Sequence, residues 1–269
     1  MSVQRAGARD YLSEILTRTR RQNERRRGHG FIASAVPEGS RLSRESLLAA
    51  LRRPPGAAPR IIAEVKFRSP SAGEIRPWSA GEAVRIARGY ERAGAVAVSM
   101  LADAPGFGGS NLAVRRVSRA CSSPVLYKGF VLEEAQLELA RSVGARMVLL
   151  LVRALSDAEL DALVRRSLEL GLEPVVEAAD GAEIDRALAT PARVLGVNAR
   201  DLASFRVDLQ QAADFLEALP SDRIGVLMSG VRGNQELALA RESRADAVLV
   251  GEALMRAPEP GRLLTEWLS

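Results

Sequence analysis

Ile61-Ile62-Ala63-Glu64-Val65-Lys66-Phe67-Arg68-Ser69-Pro70-Ser71 begins as an apolar run and ends in a carboxylate, an ammonium, a hydroxyl and a proline. The apolar part reads as a strand buried on both faces, as in parallel sheets. Ionised groups at such a strand's end are costly to strip of water unless they are paired or do chemistry. Of 38 Lys+Arg, only Lys66 and Lys128 are lysine, and both close apolar runs. Lysine can lower its pKa and pass a proton, whereas arginine cannot. The two lysines are therefore the expected chemical centre. The blander reading makes them surface residues left over from a compositional bias.

Outward from this stretch a rhythm appears. Apolar runs recur at 61–65, 95–101, 124–128, 147–152, 174–177, 194–198, 224–228 and 246–250, with amphipathic stretches between them. Strand followed by helix, eight times, predicts a parallel sheet closed as a TIM (β/α)8 barrel. The 269 residues suit one such domain. Gly94, Gly144 and Gly171 each follow a helical stretch, where a left-handed cap calls for glycine. Residues 1–58 read as an N-terminal helical extension packing on a barrel of residues 59–269, the whole being one structural domain. Within the extension, Tyr11, Ile15 and Leu16 have helical spacing between Asp10 and Gln22. Ser43 is placed to cap a second helix reaching Leu51, and Pro54-Pro55-Gly56 breaks it.

Composition removes several classes of chemistry. Cys121 is the lone cysteine and His29 the lone histidine. An internal disulfide, a cysteine-based metal site and a zinc site built on histidines are excluded, so no metal is expected. Acid–base work falls to Lys, Glu and Asp. The lone cysteine suits a reducing cytoplasm. No apolar run reaches the length that spans a bilayer, and no membrane partner is expected. Residues 1–60 carry 13 Arg against 5 acids, +8 of a total of +5, which leaves −3 for the remainder. Without aromatic interleaving or a nucleic-acid motif, this reads as a solvated helix beside an anionic small-molecule site, with no nucleic acid.

In a barrel the active site lies at the C-terminal ends of the strands. The polar residues predicted there are Glu64 and Lys66 on the first strand, Lys128 on the third and Glu177 on the fifth. The sixth gives Asn198 and Arg200, the seventh Ser229 and Gly230, and the eighth Gly251. Desolvation and mutual repulsion are expected to lower one lysine's pKa, while a carboxylate holds the other charged. Met228-Ser229-Gly230-Val231 and Val250-Gly251-Glu252-Ala253 are glycine turns after the last two strands, where barrels bind phosphate. Gly106-Phe107-Gly108-Gly109-Ser110 reads as a loop ending in a helix cap, not a dinucleotide loop.

Taken together, these motifs resemble the indole-3-glycerol phosphate synthase family. The likeness runs through Ile62–Lys66 with Ser69-Pro70-Ser71, Phe107–Ser110, Pro124-Val125-Leu126 with Lys128 and Phe130, and Val176-Glu177. It continues through Gly196-Val197-Asn198 with Arg200-Asp201-Leu202, Ser229-Gly230-Val231, and Val250 to Arg256. The resemblance implies a barrel with extra N-terminal helices partly covering its mouth. It implies a cofactor-free ring closure of 1-(2-carboxyphenylamino)-1-deoxyribulose 5-phosphate, with loss of carbon dioxide and water. By the same resemblance Lys128 is the general acid, Glu177 a base, and Lys66 and Glu64 assist. Asn198 and Arg200 hold the anthranilate portion. Ser69, Gly230 and Gly251 belong to the phosphate site, Ser229 and Glu252 of the same two turns are further substrate-binding candidates, and Phe107 and Phe130 form its apolar wall. The partner is then a small phosphorylated arylamino sugar, bound by a monomer or a homodimer.

The chain also departs from the family pattern. Gly129 stands where the family has Asp after the acid lysine, and Met228 where it has Glu at the mouth. Ala199 and Ala178 replace Asn and His. These changes suggest a ring-substituted substrate in specialised metabolism. They also motivate an alternative, a non-catalytic phosphosugar-binding paralogue with a regulatory role. A phosphoribosyl anthranilate isomerase is disfavoured, because it would be expected to use an Asp/Cys pair and Cys121 precedes the third strand instead of ending it.

Overall fold

The structure, a computed structural model, describes residues 4–27, 42–69, 72–103, 107–201 and 206–269. His29, Pro70, Ser71, Gly106 and Leu202, which enter the sequence reading, lie outside the described residues. Eight strands form the barrel: β1 Arg60–Val65, β2 Ala97–Leu101, β3 Val125–Lys128, β4 Met147–Leu151, β5 Glu173–Ala178, β6 Val194–Asn198, β7 Ile224–Met228 and β8 Ala247–Val250. Each pairs in parallel with the next, and β1 closes the barrel on β8 with Arg60 opposite Ala247. The runs read from sequence match these strands to within one or two residues at either end.

The helices between them are α3 Ala80–Ala93, α4 Asn111–Ala120, α5 Glu134–Ser142, α6 Asp157–Glu169, α7 Gly181–Leu188, α8 Leu209–Glu217 and α9 Asn234–Glu242. After β8 come α10 Glu252–Arg256 and α11 Pro260–Leu268. Alternation along the strands splits the core in two. Outward residues such as Ala63, Val98 and Val176 pack under the helices. Inward ones such as Ile62, Leu126, Val175 and Val226 fill the barrel. The expected left-handed glycines are found at Gly94 (φ 100), Gly144 (φ 88) and Gly171 (φ 72).

The two N-terminal helices, α1 Gln4–Arg27 and α2 Arg44–Leu51, sit at opposite ends of the barrel. Ser43 accepts from the Ser46 amide and caps α2. Leu47 and Leu51 of α2 are buried in the barrel-interior cluster. Arg44 grips Glu173 at the start of β5, at 2.6 and 3.2 Å. The Arg53 amide donates to Asp246, just before β8, at 3.1 Å. These partners mark the N-terminal ends of the strands, so α2 plugs the bottom.

The other helix, α1, covers the top. Ile15 is buried there, and Arg18 reaches both oxygens of Asp103, beyond β2, at 3.1 and 3.2 Å. Asn23 Nδ2 donates to Gln136 Oε1 at 2.9 Å, and Gln136 in turn donates to the Phe130 carbonyl at 2.7 Å. The expectation that both helices cover the mouth is thus corrected for α2. Its apolar face matches the open end of the strands, where the barrel's interior would otherwise meet water. Among the described residues, no helix is long and apolar enough to cross a membrane.

Candidate active site

Glu64 is the hub of the strand ends. It lies near the end of β1 and is only 2% exposed. Its Oε1 receives Lys66 Nζ at 2.8 Å, and its Oε2 receives Lys128 Nζ at 2.9 Å. Ser99, its register partner on β2, adds a hydroxyl at 3.4 Å. Burial works against the ionised carboxylate, but Lys128 and Lys66 outweigh it and hold the Glu64 pKa down at about 2.

For Lys128, burial pulls the pKa down, yet Glu64 and Glu177 overcome it, and the net direction is upward from the ordinary lysine value. Lys128 is thus the lysine that a carboxylate holds charged. The two ammonium groups do not face each other unshielded, because one carboxylate lies between them.

A second chain of contacts runs beside this triad. Asn198, the last residue of β6, donates through Nδ2 to Glu177 Oε1 at 2.8 Å. Its Oδ1 accepts from the Arg200 amide at 3.0 Å. Asn198 therefore fixes both the carboxylate of β5 and the start of the β6–α8 loop. Arg200 also bridges backbone to backbone with Val207, which ties the residues after β6 to those before α8.

Two turns close the far side. After β7, Ser229 has φ 66, the one non-glycine residue with positive φ among the described residues, and Gly230 follows at φ 88. A Cβ on Gly230 would come 2.6 Å from Val207 Cγ1, so both dihedral and space require glycine. The strain at Ser229 is worth about 1–3 kcal/mol and sits at the barrel mouth, where such strain commonly accompanies function. After β8, a Cβ on Gly251 would lie 2.6 Å from Glu64 Oε1. Glycine at this turn therefore makes room for the hub carboxylate, a contact between residues far apart in the chain.

The catalytic and substrate-binding candidates read from sequence line one cavity of about 670 Å³: Glu64, Lys66, Ser69, Phe107, Lys128, Phe130, Glu177, Asn198, Arg200, Ser229, Gly230, Gly251 and Glu252. Ser69 is buried, and its hydroxyl accepts from the Ala72 amide at 3.1 Å. The rings of Phe107 and Phe130 stand 6.1 Å apart at 39°. Glu252 turns its carboxylate to Arg256 at 3.0 Å.

Met228 does not line this cavity. It is 1% exposed inside the barrel, where its sulfur occupies the space over Gly196, 2.7 Å from where a Cβ there would stand. The reading of Met228 as a mouth residue is thereby corrected, because an apolar thioether folds inward where a carboxylate would seek the polar mouth.

Gly129 and Arg256 also line the cavity walls, and sequence reading missed Leu12 and Ile15, which roof the cavity from α1, and Asp103 and Arg232 beside them. The helical spacing around Ile15 announced an apolar face but not what it covers.

The family model described as indole-3-glycerol phosphate synthase matches residues 12–266. A protein of that name from Opitutus terrae is 40% identical over 235 residues, covering 86% of this chain and 87% of that protein. "Indole-3-glycerol phosphate synthase 2" of Streptomyces coelicolor is 45% identical over 219 residues, 79% of this chain and 81% of that one. The crystal structure of 3-hexulose-6-phosphate synthase from Salmonella typhimurium is similar with a TM-score of 0.61 at 16% identity, over 78% of this chain and 98% of that chain, a likeness of fold alone. By its sequence, its closed eight-stranded barrel and the match along nearly its whole length, the chain belongs to the indole-3-glycerol phosphate synthase family.

Proposed function

We propose that this protein is a carboxy-lyase that closes 1-(2-carboxyphenylamino)-1-deoxyribulose 5-phosphate, or a ring-substituted relative, to an indole-3-glycerol phosphate. The observation that carries this reading is the Lys66–Glu64–Lys128 bridge beside Glu177 and Asn198 in one cavity. Ring closure needs an acid at the ketone oxygen while the carboxylate-bearing aryl carbon attacks. Lys128 suits that role, since its raised pKa keeps the ammonium form filled at neutral pH. Loss of carbon dioxide then restores the aromatic ring. Dehydration removes the new hydroxyl together with a proton from the closing ring. Glu177, oriented by Asn198, is the base for that proton, and Lys66 with Glu64 assists departure of the hydroxyl.

Arg200 and Asn198 hold the anthranilate end in this reading. Phe107 and Phe130 form an apolar wall, and Ser69, Ser229, Gly230, Gly251 and Glu252 form the phosphate end. Gly129 lines the cavity, but a Cβ there would meet the Tyr127 ring at 3.2 Å and Ala102 at 3.5 Å, so the ring-substituted substrate rests on the departures from the family pattern alone. The reaction calls for no metal or cofactor. The partner is this small molecule and not nucleic acid, met in the cytoplasm by a monomer or homodimer.

Incubation with the carboxyphenylamino sugar phosphate, followed by indole fluorescence, is the direct test. Turnover is expected on it or on a ring-substituted analogue. Binding without turnover on every analogue would overturn the lyase in favour of a binding paralogue.

A further inference from the structure

We infer that Arg232 is the side chain whose charge receives the phosphate of the substrate. It takes that role only if the cavity binds the arylamino sugar phosphate proposed above. The cavity wall carries the cations Lys66, Lys128, Arg200, Arg232 and Arg256. Most are already committed. Lys66 and Lys128 share Glu64 at 2.8 and 2.9 Å, and Arg256 is held by Glu252 at 3.0 Å. Asp103, an acid of the same wall, is held by Arg18 of α1 at 3.1 Å. The guanidinium groups of Arg200 and Arg232 remain without an ion pair or hydrogen bond to any described residue.

The substrate brings two anionic ends, an aryl carboxylate and a phosphate monoester, to two uncommitted cations. Position assigns them. Arg200 follows β6, two residues beyond Asn198 and beside Glu177. Arg232 stands two residues beyond Gly230 in the turn after β7, and β7 pairs directly with β8, whose end carries Gly251. Both glycine turns line the same cavity.

A phosphate monoester carries about −1.5 to −2 at neutral pH, a charge that the two lysines, both bound to Glu64, are not free to balance. The planar fork of arginine matches phosphate oxygens in pairs. Arg232 is also exposed, so it meets the ligand without a large desolvation cost, and its replacement leaves the core untouched.

The test compares wild type, Arg232→Met and Arg232→Lys in steady-state kinetics on the sugar phosphate, with a thermal melt of each. Arg232→Met should raise KM roughly 10- to 100-fold with kcat nearly unchanged, as expected for loss of charge-assisted hydrogen bonds that ground and transition states share. Arg232→Lys should recover part of this, and the melts should coincide. An unchanged KM in Arg232→Met overturns the assignment. So does an equal loss of affinity for the dephosphorylated sugar.

Calorimetric titration with inorganic phosphate reads the same contact without turnover. An inactive wild type that binds phosphate, with an Arg232→Met variant that does not, would overturn the lyase reading and uphold the contact. Equal phosphate binding by the two proteins would overturn the contact.

Discussion

Glu64 accepts one lysine on each oxygen, so removal of either lysine leaves the carboxylate paired with the other. Lys66→Ala and Lys128→Ala should therefore fold, while each lowers kcat by about 10²–10⁴-fold, the usual share of a general acid or its partner. Near-full rates with unchanged circular dichroism in either variant would refute the roles given to them. Gly251→Ala tests the hub differently. Its new Cβ would stand 2.6 Å from Glu64 Oε1 and push the carboxylate off its lysines. With those partners loosened, the Glu64 pKa rises, and the acidic limb of the rate–pH profile should move to higher pH as kcat falls. A limb that stays in place would show that the carboxylate does not rest against this turn. The lysines and glutamates were legible in the sequence because charge at the end of an apolar run has no cheap structural explanation. Met228 was misread there because sequence fixes its place on the strand but not how a flexible side chain folds.

The plug and the roof divide the N-terminal extension by task. In α2, Leu51 is fully buried against the barrel's interior cluster, far from the strand ends that hold the lysines. Leu51→Ala should cost about 2–5 kcal/mol of stability through the cavity it leaves, with kcat and KM close to wild type. Denaturant unfolding beside steady-state kinetics would show it, and a large loss of activity at unchanged stability would contradict the plug. The caps of α2 and α4, Ser43 and Ser110, were readable because a hydroxyl before a helical run answers the first orphan amides. The two-residue ribbon of Arg68–Ser69 with Gly73–Glu74, and the five-residue α10, were not, since elements this short carry no period.

At the scale of the whole molecule, the buried charges set how stability depends on pH. The folded pKa of Glu64 is about 2 against an ordinary 4.5, so its contribution is present above pH 4.5 and is lost as pH falls toward 2. Lys128 is raised above 10.5, so its contribution is present below that pH and is lost as pH climbs beyond it. Glu173 acts in the opposite sense to Glu64. Its burial outweighs Arg44 and raises its pKa, so ionising it is a cost that acid relieves. Urea unfolding at pH 7, 4 and 3 should show a falling acid limb that is shallower in Glu64→Gln, and equal limbs would remove Glu64 as its source. The sequence by itself determined the eight-fold strand–helix order, the strand ends and the residues gathered there, because periodicity and the burial cost of charge are written locally. Only the tertiary structure decided that one carboxylate separates the two lysines and raises the pKa of one. Only it put α1 over the mouth and α2 in the base, and left Arg200 and Arg232 of the cavity wall without an ion partner among the described residues. Those outcomes depend on distances between residues far apart in the chain, and such distances exist only once the barrel has closed.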